Sequence, residues 1–239
     1  RAGMKAFIFA AGMGTRLKPL TDTMPKALVP VVGETVSRDG HGKPMIDVVM
    51  EKLRNEGFDS FVVNVHHFAE QIIEHSRDAG NVEISDERDL LRDTGGAIRH
   101  AFCQGIDLGE MFLVHNVDIA SNVNLQKMAN DVRQGALATL LVSERESSRY
   151  LLFDDDMRLV GWTNVKSGEV KSPYDNIDVD KCKKRAFSGI HVISGEIRTL
   201  MKDWPEVFSV VDFYLNVCKE HKIYGYEQVG VKVKDMGKL

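Results

Sequence analysis

From Lys5 onward, short apolar runs alternate with stretches in which apolar residues recur three and four positions apart. Lys5-Ala6-Phe7-Ile8-Phe9-Ala10 is an apolar run that ends at glycines, the pattern of a buried strand feeding a loop. Pro44 opens a helical stretch in which Ile46, Val49, Met50 and Leu53 share one face, and Gly57 stops it. Residues 60–65 (SFVVNV) read as a second buried strand, followed by a helix through Phe68, Ile72 and Ile73. A third strand is expected at 82–85, a helix over 94–102 and a further strand at 111–114. Leu125, Met128, Ala129 and Val132 then repeat at helical spacing. This alternation predicts an α/β fold: an open, mostly parallel sheet with helices on both faces.

After Gly135 the texture changes. Residues 136–142 read as a strand, and 150–153 and 159–162 flank a turn at Asp154-Asp155-Asp156, the pattern of an antiparallel hairpin. Another strand is expected at 187–193, with helices over 197–201 and 210–218. No linker separates the halves, so the expectation is a single domain, 4–239, with one lobe over 4–135 and a smaller mixed lobe over 136–239. Residues 33–42 (GETVSRDGHG) are polar, rich in glycine and without periodicity, and are expected as a surface loop. Arg1-Ala2-Gly3, ahead of Met4, read as a remnant and are set aside.

Composition narrows the function. With 239 residues, 43% of them hydrophobic, the chain can bury a sizeable core. A net charge of −4 lacks the basic excess of a non-specific nucleic-acid binder, and no apolar stretch approaches the length of a membrane span. Three separated cysteines, Cys103, Cys182 and Cys218, form no CxxC pair and point to reduced thiols in a cytoplasmic setting.

The chemistry concentrates after the first strand. In Ala10-Ala11-Gly12-Met13-Gly14-Thr15-Arg16 the glycines let backbone amides approach a phosphate chain. Leu17 stands where a Rossmann fingerprint needs a third small residue, and the Gly-Lys-Ser/Thr of a Walker A loop is absent. Lys26 follows Arg16 by ten residues, between Pro25 and Pro30. Two fixed cations beside a glycine loop are what nucleotidyl transfer needs, because negative charge builds on the attacked phosphate and on the departing pyrophosphate. Asp118 follows the apolar run at 112–117, at the end of a buried strand where ligands of open α/β sheets bind. Asp93-Thr94 offers a helix N-cap, and Gly95-Gly96 open the helix where a planar base could lie on the backbone.

The run GMGTRLKPLTDTMPKALVPV resembles the signature of the sugar-1-phosphate nucleotidylyltransferases, close to GxGTRLxPLTxxxPKPLxPV, with Ala27 where proline is usual. The resemblance implies their fold, a Rossmann-like mixed sheet of the nucleotide-diphospho-sugar transferase type, and their reaction. An NTP and a sugar 1-phosphate give an NDP-sugar and pyrophosphate by in-line attack with Mg²⁺. By the same resemblance Arg16 grips the β- and γ-phosphates and Lys26 the attacked one. Ala10, Ala11, Gly12, Gly14, Thr15, Gly95 and Gly96 bind the nucleotide. Asp118 in Asn116-Val117-Asp118 and Asp235 in Asp235-Met236-Gly237 hold the metal, with Val117 where a smaller residue is commoner. Gly189, in Phe187-Ser188-Gly189-Ile190, contacts the sugar, and Lys166 is the candidate for its phosphate, although the usual Glu-Lys-Pro context is missing. The stretch NVHHFAEQI…DTGGAI is in the style of the compact N-acetylmuramic acid 1-phosphate uridylyltransferases and mannose-1-phosphate guanylyltransferases, which puts UTP ahead of GTP. His66-His67 point to opposite sides of a strand end and do not form a joint metal site. Two other readings stay open: a catalytically silent binding protein on this fold, and a phosphocholine cytidylyltransferase with Tyr150, Trp162 and Tyr174 as an aromatic cage.

Overall fold

A computed structural model describes residues 3–239; Arg1 and Ala2, within the remnant set aside above, lie outside the described residues. β1 (Lys5–Phe9) runs into the glycine loop, and three single 3-10 turns lead to a small antiparallel sheet of β2 (Pro30–Val32), β3 (Thr35–Val36) and β4 (Lys43–Pro44). α1 (Met45–Asn55), β5 (Phe61–Val65), α2 (Ala69–Ser76), β6 (Val82–Asp86), α3 (Asp93–Cys103) and β7 (Met111–Asn116) follow in alternation. Next come β8 (Ile119–Ser121), α4 (Leu125–Asn130), β9 (Ala138–Ser143), the hairpin β10 (Arg149–Phe153) and β11 (Leu159–Asn164), and β12 (Val170–Lys171). The long β13 (Lys183–Ser194), α5 (Ile197–Met201), α6 (Val210–Val217), β14 (Ile223–Tyr226) and β15 (Val233–Asp235) complete the chain.

One sheet carries the molecule, in the order β12-β11-β10-β13-β7-β1-β5-β6, with β9 beside β13 and β14 beside β9. β7, β1, β5 and β6 are parallel. β13 is antiparallel to β7, β9 and β10, and its register shifts between Phe187 and His191. The mixed sheet expected from the sequence is therefore present, with its parallel strands at the centre and antiparallel pairings around β13, β10 and β11.

Strand alternation explains why both faces are covered. In β1, Ala6 and Ile8 pack with Val49, Met50 and Leu53 of α1, Ile72 of α2 and Met128 of α4. Phe7, between them, joins Ile98 of α3, Ile197 of α5 and Phe213 and Tyr214 of α6 on the other face. Side chains of period two from a strand buried on both sides demand apolar residues throughout, hence the unbroken run of 6–10.

The differences from expectation are local. Residues 33–42 are not wholly loop, because Thr35 and Val36 pair with Val32 and Val31 around Gly33 at φ 62°. The ribbon of β8 and β15 was not foreseen either. Strands of two or three residues carry too few alternations to register as a period.

Candidate active site

The glycine loop follows directly from β1 and turns at Gly14, whose φ of 65° is left-handed. A Cβ on Gly14 would lie 2.7 Å from Thr21 Cγ2 and 3.1 Å from Lys26 Cβ, and one on Gly12 would lie 3.1 Å from Lys26 Nζ. The absence of those carbons lets residues 21–26 close over the loop, where the Thr21 hydroxyl donates to Gly14 O at 2.6 Å. Leu17 and Ala27, both wholly buried, pin the two ends of this segment in the core. Alanine at the usual proline position is accommodated there.

Asp118 is aimed by strand alternation. The Val117 amide donates to Phe9 O at 3.1 Å and its side chain lies in the core, so Asn116 and Asp118 face the opposite way, into a cleft. The departure at Val117 is thus on the core side. Asp235 is brought beside Asp118 by the β8–β15 ribbon, in which Asp235 pairs with Ile119 and the Met236 amide donates to Asp118 O at 2.6 Å. A Cβ on Gly237 would lie 2.7 Å from Asp118 Oδ2 and 3.0 Å from Asp235 Oδ1, so both carboxylates converge on space that glycine leaves open.

Two cations face this pair. Lys26 Nζ donates to Asp118 Oδ2 at 3.1 Å. Arg16 Nη1 donates to Asp235 Oδ2 at 2.7 Å, and its Nη2 lies 3.7 Å from Asp118 Oδ2. Burial pushes the Asp235 carboxyl up, but the Arg16 guanidinium and the Gly237 amide outweigh it and hold Asp235 below the usual carboxylate range. The hydrogen bond to Asp235 raises Arg16 in return. Among the described residues no three His, Cys, Asp or Glu side chains gather as a closed metal cage. Two carboxylates with open space between them are oxygen donors of the type that a hard dication takes.

Two cavities meet here. One, of about 420 Å³, is lined by Phe9, Ala11, Gly12, Lys26, Leu91 and Val207. The other, of about 660 Å³, is lined by Arg16, Arg145, Phe187, Gly189, Asp235 and Lys238, with Ser188 and Ser209 among its polar groups. Asp93, Thr94, Asn116 and Asp118 line both. Gly189 stands at the register shift of β13 with φ 79°, and a Cβ there would lie 2.2 Å from Asn116 Nδ2.

Several expected residues serve the site differently. Ala10 is buried and its amide is spent on Asn64 Oδ1 at 2.7 Å. Gly14 shapes the turn, and Thr15 is exposed in the 3-10 segment; neither lines a cavity. Gly95 and Gly96 also line neither. Their amides donate to Phe208 O at 2.9 and 3.1 Å, and added Cβ atoms would lie 2.3 Å from Phe208 Cε2 and Glu206 O, so they let α3 pack on residues 206–208. Lys166 is exposed in the turn between β11 and β12, where its amide donates to Asn164 Oδ1 at 2.9 Å, and it is not brought to the cleft. Arg145 and Lys238 are the lysine or arginine groups found there besides Arg16.

Behind the loop runs a buried relay. Asn64, a polar residue in an otherwise apolar strand, accepts from Ala10 and donates to Glu87 Oε2 at 2.8 Å, and Glu87 Oε1 accepts from the Arg92 amide at 3.1 Å. Burial pushes the Glu87 carboxyl up. The relay ties the glycine loop to the start of α3. His66 and His67 bond separately, to Glu87 O and Thr21 O, and line neither cavity.

The sequence profile of the nucleotidyl transferase family matches residues 5–153. The chain belongs to the nucleotidyl transferase family. This bears out the resemblance drawn from the sequence and makes the protein an enzyme of nucleotidyltransferase type. Among its relatives is the N-acetylmuramate alpha-1-phosphate uridylyltransferase of Caulobacter vibrioides, 29% identical over 95% of this chain and 89% of that one. The choline-phosphate cytidylyltransferase of Streptococcus pneumoniae is 41% identical over 95% of this chain and 94% of that one. Among solved structures, the inositol-1-phosphate CTP transferase from T. maritima shares the fold of this nucleotidyltransferase, with a TM-score of 0.74 at 14% identity, covering 100% of this chain and 91% of that one.

Proposed function

We propose that this nucleotidyltransferase transfers the nucleotidyl group of an NTP, UTP ahead of GTP, to a sugar 1-phosphate, giving an NDP-sugar and pyrophosphate. The observation that carries the reading is the meeting of two cavities at Asp118, whose carboxylate is 3.1 Å from the Lys26 ammonium. The smaller cavity, with apolar Phe9, Leu91 and Val207 beside the glycine loop, takes the nucleotide. The larger, with hydroxyls, amides and the cations Arg145 and Lys238, takes the sugar phosphate. Lobes 4–135 and 136–239 divide the two substrates in the same way.

Mg²⁺ suits the oxygen donors of Asp118 and Asp235, and when bound supplies positive charge to the substrate phosphates. A sugar phosphate oxygen forms a new bond to the α-phosphorus while the α–β bridge oxygen leaves with its electron pair as pyrophosphate. The attacking phosphate is largely ionised at neutral pH, its second pKa being about 6, so no side chain has to remove a proton. Lys26, held between the loop and Asp118, offsets charge developing on the attacked phosphate. Arg16, more than half exposed, is free to turn from the carboxylates to the departing phosphates. Asn64 and Glu87 hold the loop against α3, so that the phosphate chain meets a fixed backbone.

The similarity to a choline-phosphate cytidylyltransferase supports a second reading, phosphocholine as acceptor. A quaternary ammonium calls for several aromatic faces. Phe187 is the one aromatic ring lining the larger cavity; Tyr150, Trp162 and Tyr174 line neither cavity, which favours a sugar phosphate. Phosphorus NMR of reactions pairing UTP, GTP or CTP with sugar 1-phosphates and with phosphocholine tests the choice. Diphosphate diester signals are expected with a sugar 1-phosphate; product with phosphocholine alone would replace this reading with the second.

A further inference from the structure

A separate cavity, of about 580 Å³, opens between the far end of α3 and α5. Its walls are Arg99, Phe102 and Cys103 from α3 and Arg198, Met201 and Lys202 from and just after α5. Among the described residues no aspartate or glutamate lines it. Among the described residues, Arg99, Arg198 and Lys202 form no ion pair with a carboxylate, whereas most other clefts of this acidic chain mix both signs. Arg99 donates through Nη2 to Lys202 O at 3.3 Å, but its Nε is buried with no acceptor. That atom is closed to solvent, so an anion in the cavity would meet the exposed ends of Arg198 and Lys202 rather than it. Three unpaired cations around one hollow also repel one another until an anion enters.

We infer that this cavity binds a phosphate-bearing metabolite at a site distinct from the catalytic cleft. The guanidinium forks of Arg99 and Arg198 suit phosphate oxygens, and Lys202 adds a point charge. Phe102, with Arg198 Cζ 6.0 Å from its ring centroid, and Met201 give apolar surface for the rest of the molecule. The volume lies within the range of small-molecule sites. The position matters for regulation. The first turn of α3 carries Asp93 and Thr94 into the cleft, about 13 Å from Cys103 along the helix. The chain leaving α5 continues to Val207 and Ser209, which line the cleft too, and the two segments are bonded through Gly95, Gly96 and Phe208. An anion bridging α3 and α5 therefore clamps the same pair of segments that shape the cleft.

Cys103, exposed in this cavity, is the reporter, and Cys182 the internal control. Alkylation of each would be followed by peptide mass spectrometry in EDTA, at ionic strength held constant with potassium chloride. Separate arms contain inorganic phosphate, pyrophosphate, a nucleoside triphosphate and a sugar 1-phosphate. At least one is expected to slow Cys103 by about fivefold or more at about 1 mM while Cys182 is unchanged, and the arm that does so identifies the source. The protection should vanish in the Arg198→Gln/Lys202→Gln variant, whose altered side chains are exposed, with its circular dichroism unchanged. Equal Cys103 rates in every arm, or protection that survives in the variant, would overturn the inference.

Discussion

Four of the charged side chains at the cleft pair with one another, and each has a different reason for its position. Lys26 is admitted by glycines, Asp118 is aimed by strand alternation, Asp235 is placed by ribbon pairing, and Arg16 rests on Asp235 while staying more than half exposed. Lys26→Ala and Asp118→Asn are each expected to lower turnover by about 10²- to 10³-fold, because the proposed reaction uses each to offset or organise charge at the attacked phosphate. Steady-state kinetics on folded variants checks this, and turnover within a few-fold of wild type would remove that residue from the mechanism. The cation proposed for the sugar phosphate is a sharper test of the geometry. Arg145→Ala should raise KM for the sugar phosphate about tenfold with kcat little changed, the loss of one charge-assisted contact. Lys166→Ala, in an exposed turn away from both cavities, should behave as wild type. The reverse ranking would return the role to Lys166.

At the scale of elements, the site depends on two joints far apart in sequence. The β8–β15 ribbon holds Asp235, and its anchor is the wholly buried Met236. Met236→Ala is expected to cost about 2–5 kcal/mol and to lower activity at temperatures where the fold persists, because the ribbon loses its grip on the core. Denaturant titration together with activity measures both, and full activity with full stability would show that Asp235 is held some other way. The second joint is β13 against α6, where His191 Nδ1 and the Tyr214 hydroxyl are 2.6 Å apart and both residues are buried. Burial lowers His191 from 6.5 to about 3. The unfolded chain therefore takes up the proton first, so stability falls as pH drops through 6.5 towards the folded value. Between pH 7.5 and 5 this amounts to about 2 kcal/mol from His191 alone. His191→Gln, which keeps a partner for Tyr214, should shrink the Tm difference between those two pH values by about 4–8 °C. An unchanged difference would assign the acid sensitivity elsewhere.

For the whole molecule, what the sequence made legible was whatever is encoded locally. The long apolar runs and helical faces announced the sheet and its covering helices, and Arg16, Lys26 and Asp118 stood out because each sits in a local pattern, a glycine loop, a proline-flanked segment or the end of an apolar run. Asp235 needed the resemblance to the sugar-1-phosphate nucleotidylyltransferases, since only a ribbon spanning more than a hundred residues brings it to Asp118. Arg145 and Lys238 gave no signal, because they sit in irregular backbone and reach the cavity only when β13 and the chain end close around it. At Gly95 and Gly96 the need for glycine was legible, but its source in the structure, Phe208 and Glu206, was not. Nucleotidyl transfer to an acceptor phosphate is the reaction these parts together are proposed to perform. Its most direct test is pyrophosphate release with Mg²⁺, measured with the NTP alone and with NTP plus sugar 1-phosphate, in the wild type and in Asp118→Asn. Release that requires the acceptor, is stoichiometric with NDP-sugar and is lost in Asp118→Asn is the predicted result. No release with any pair from folded wild-type protein, or equal release without acceptor, would contradict it.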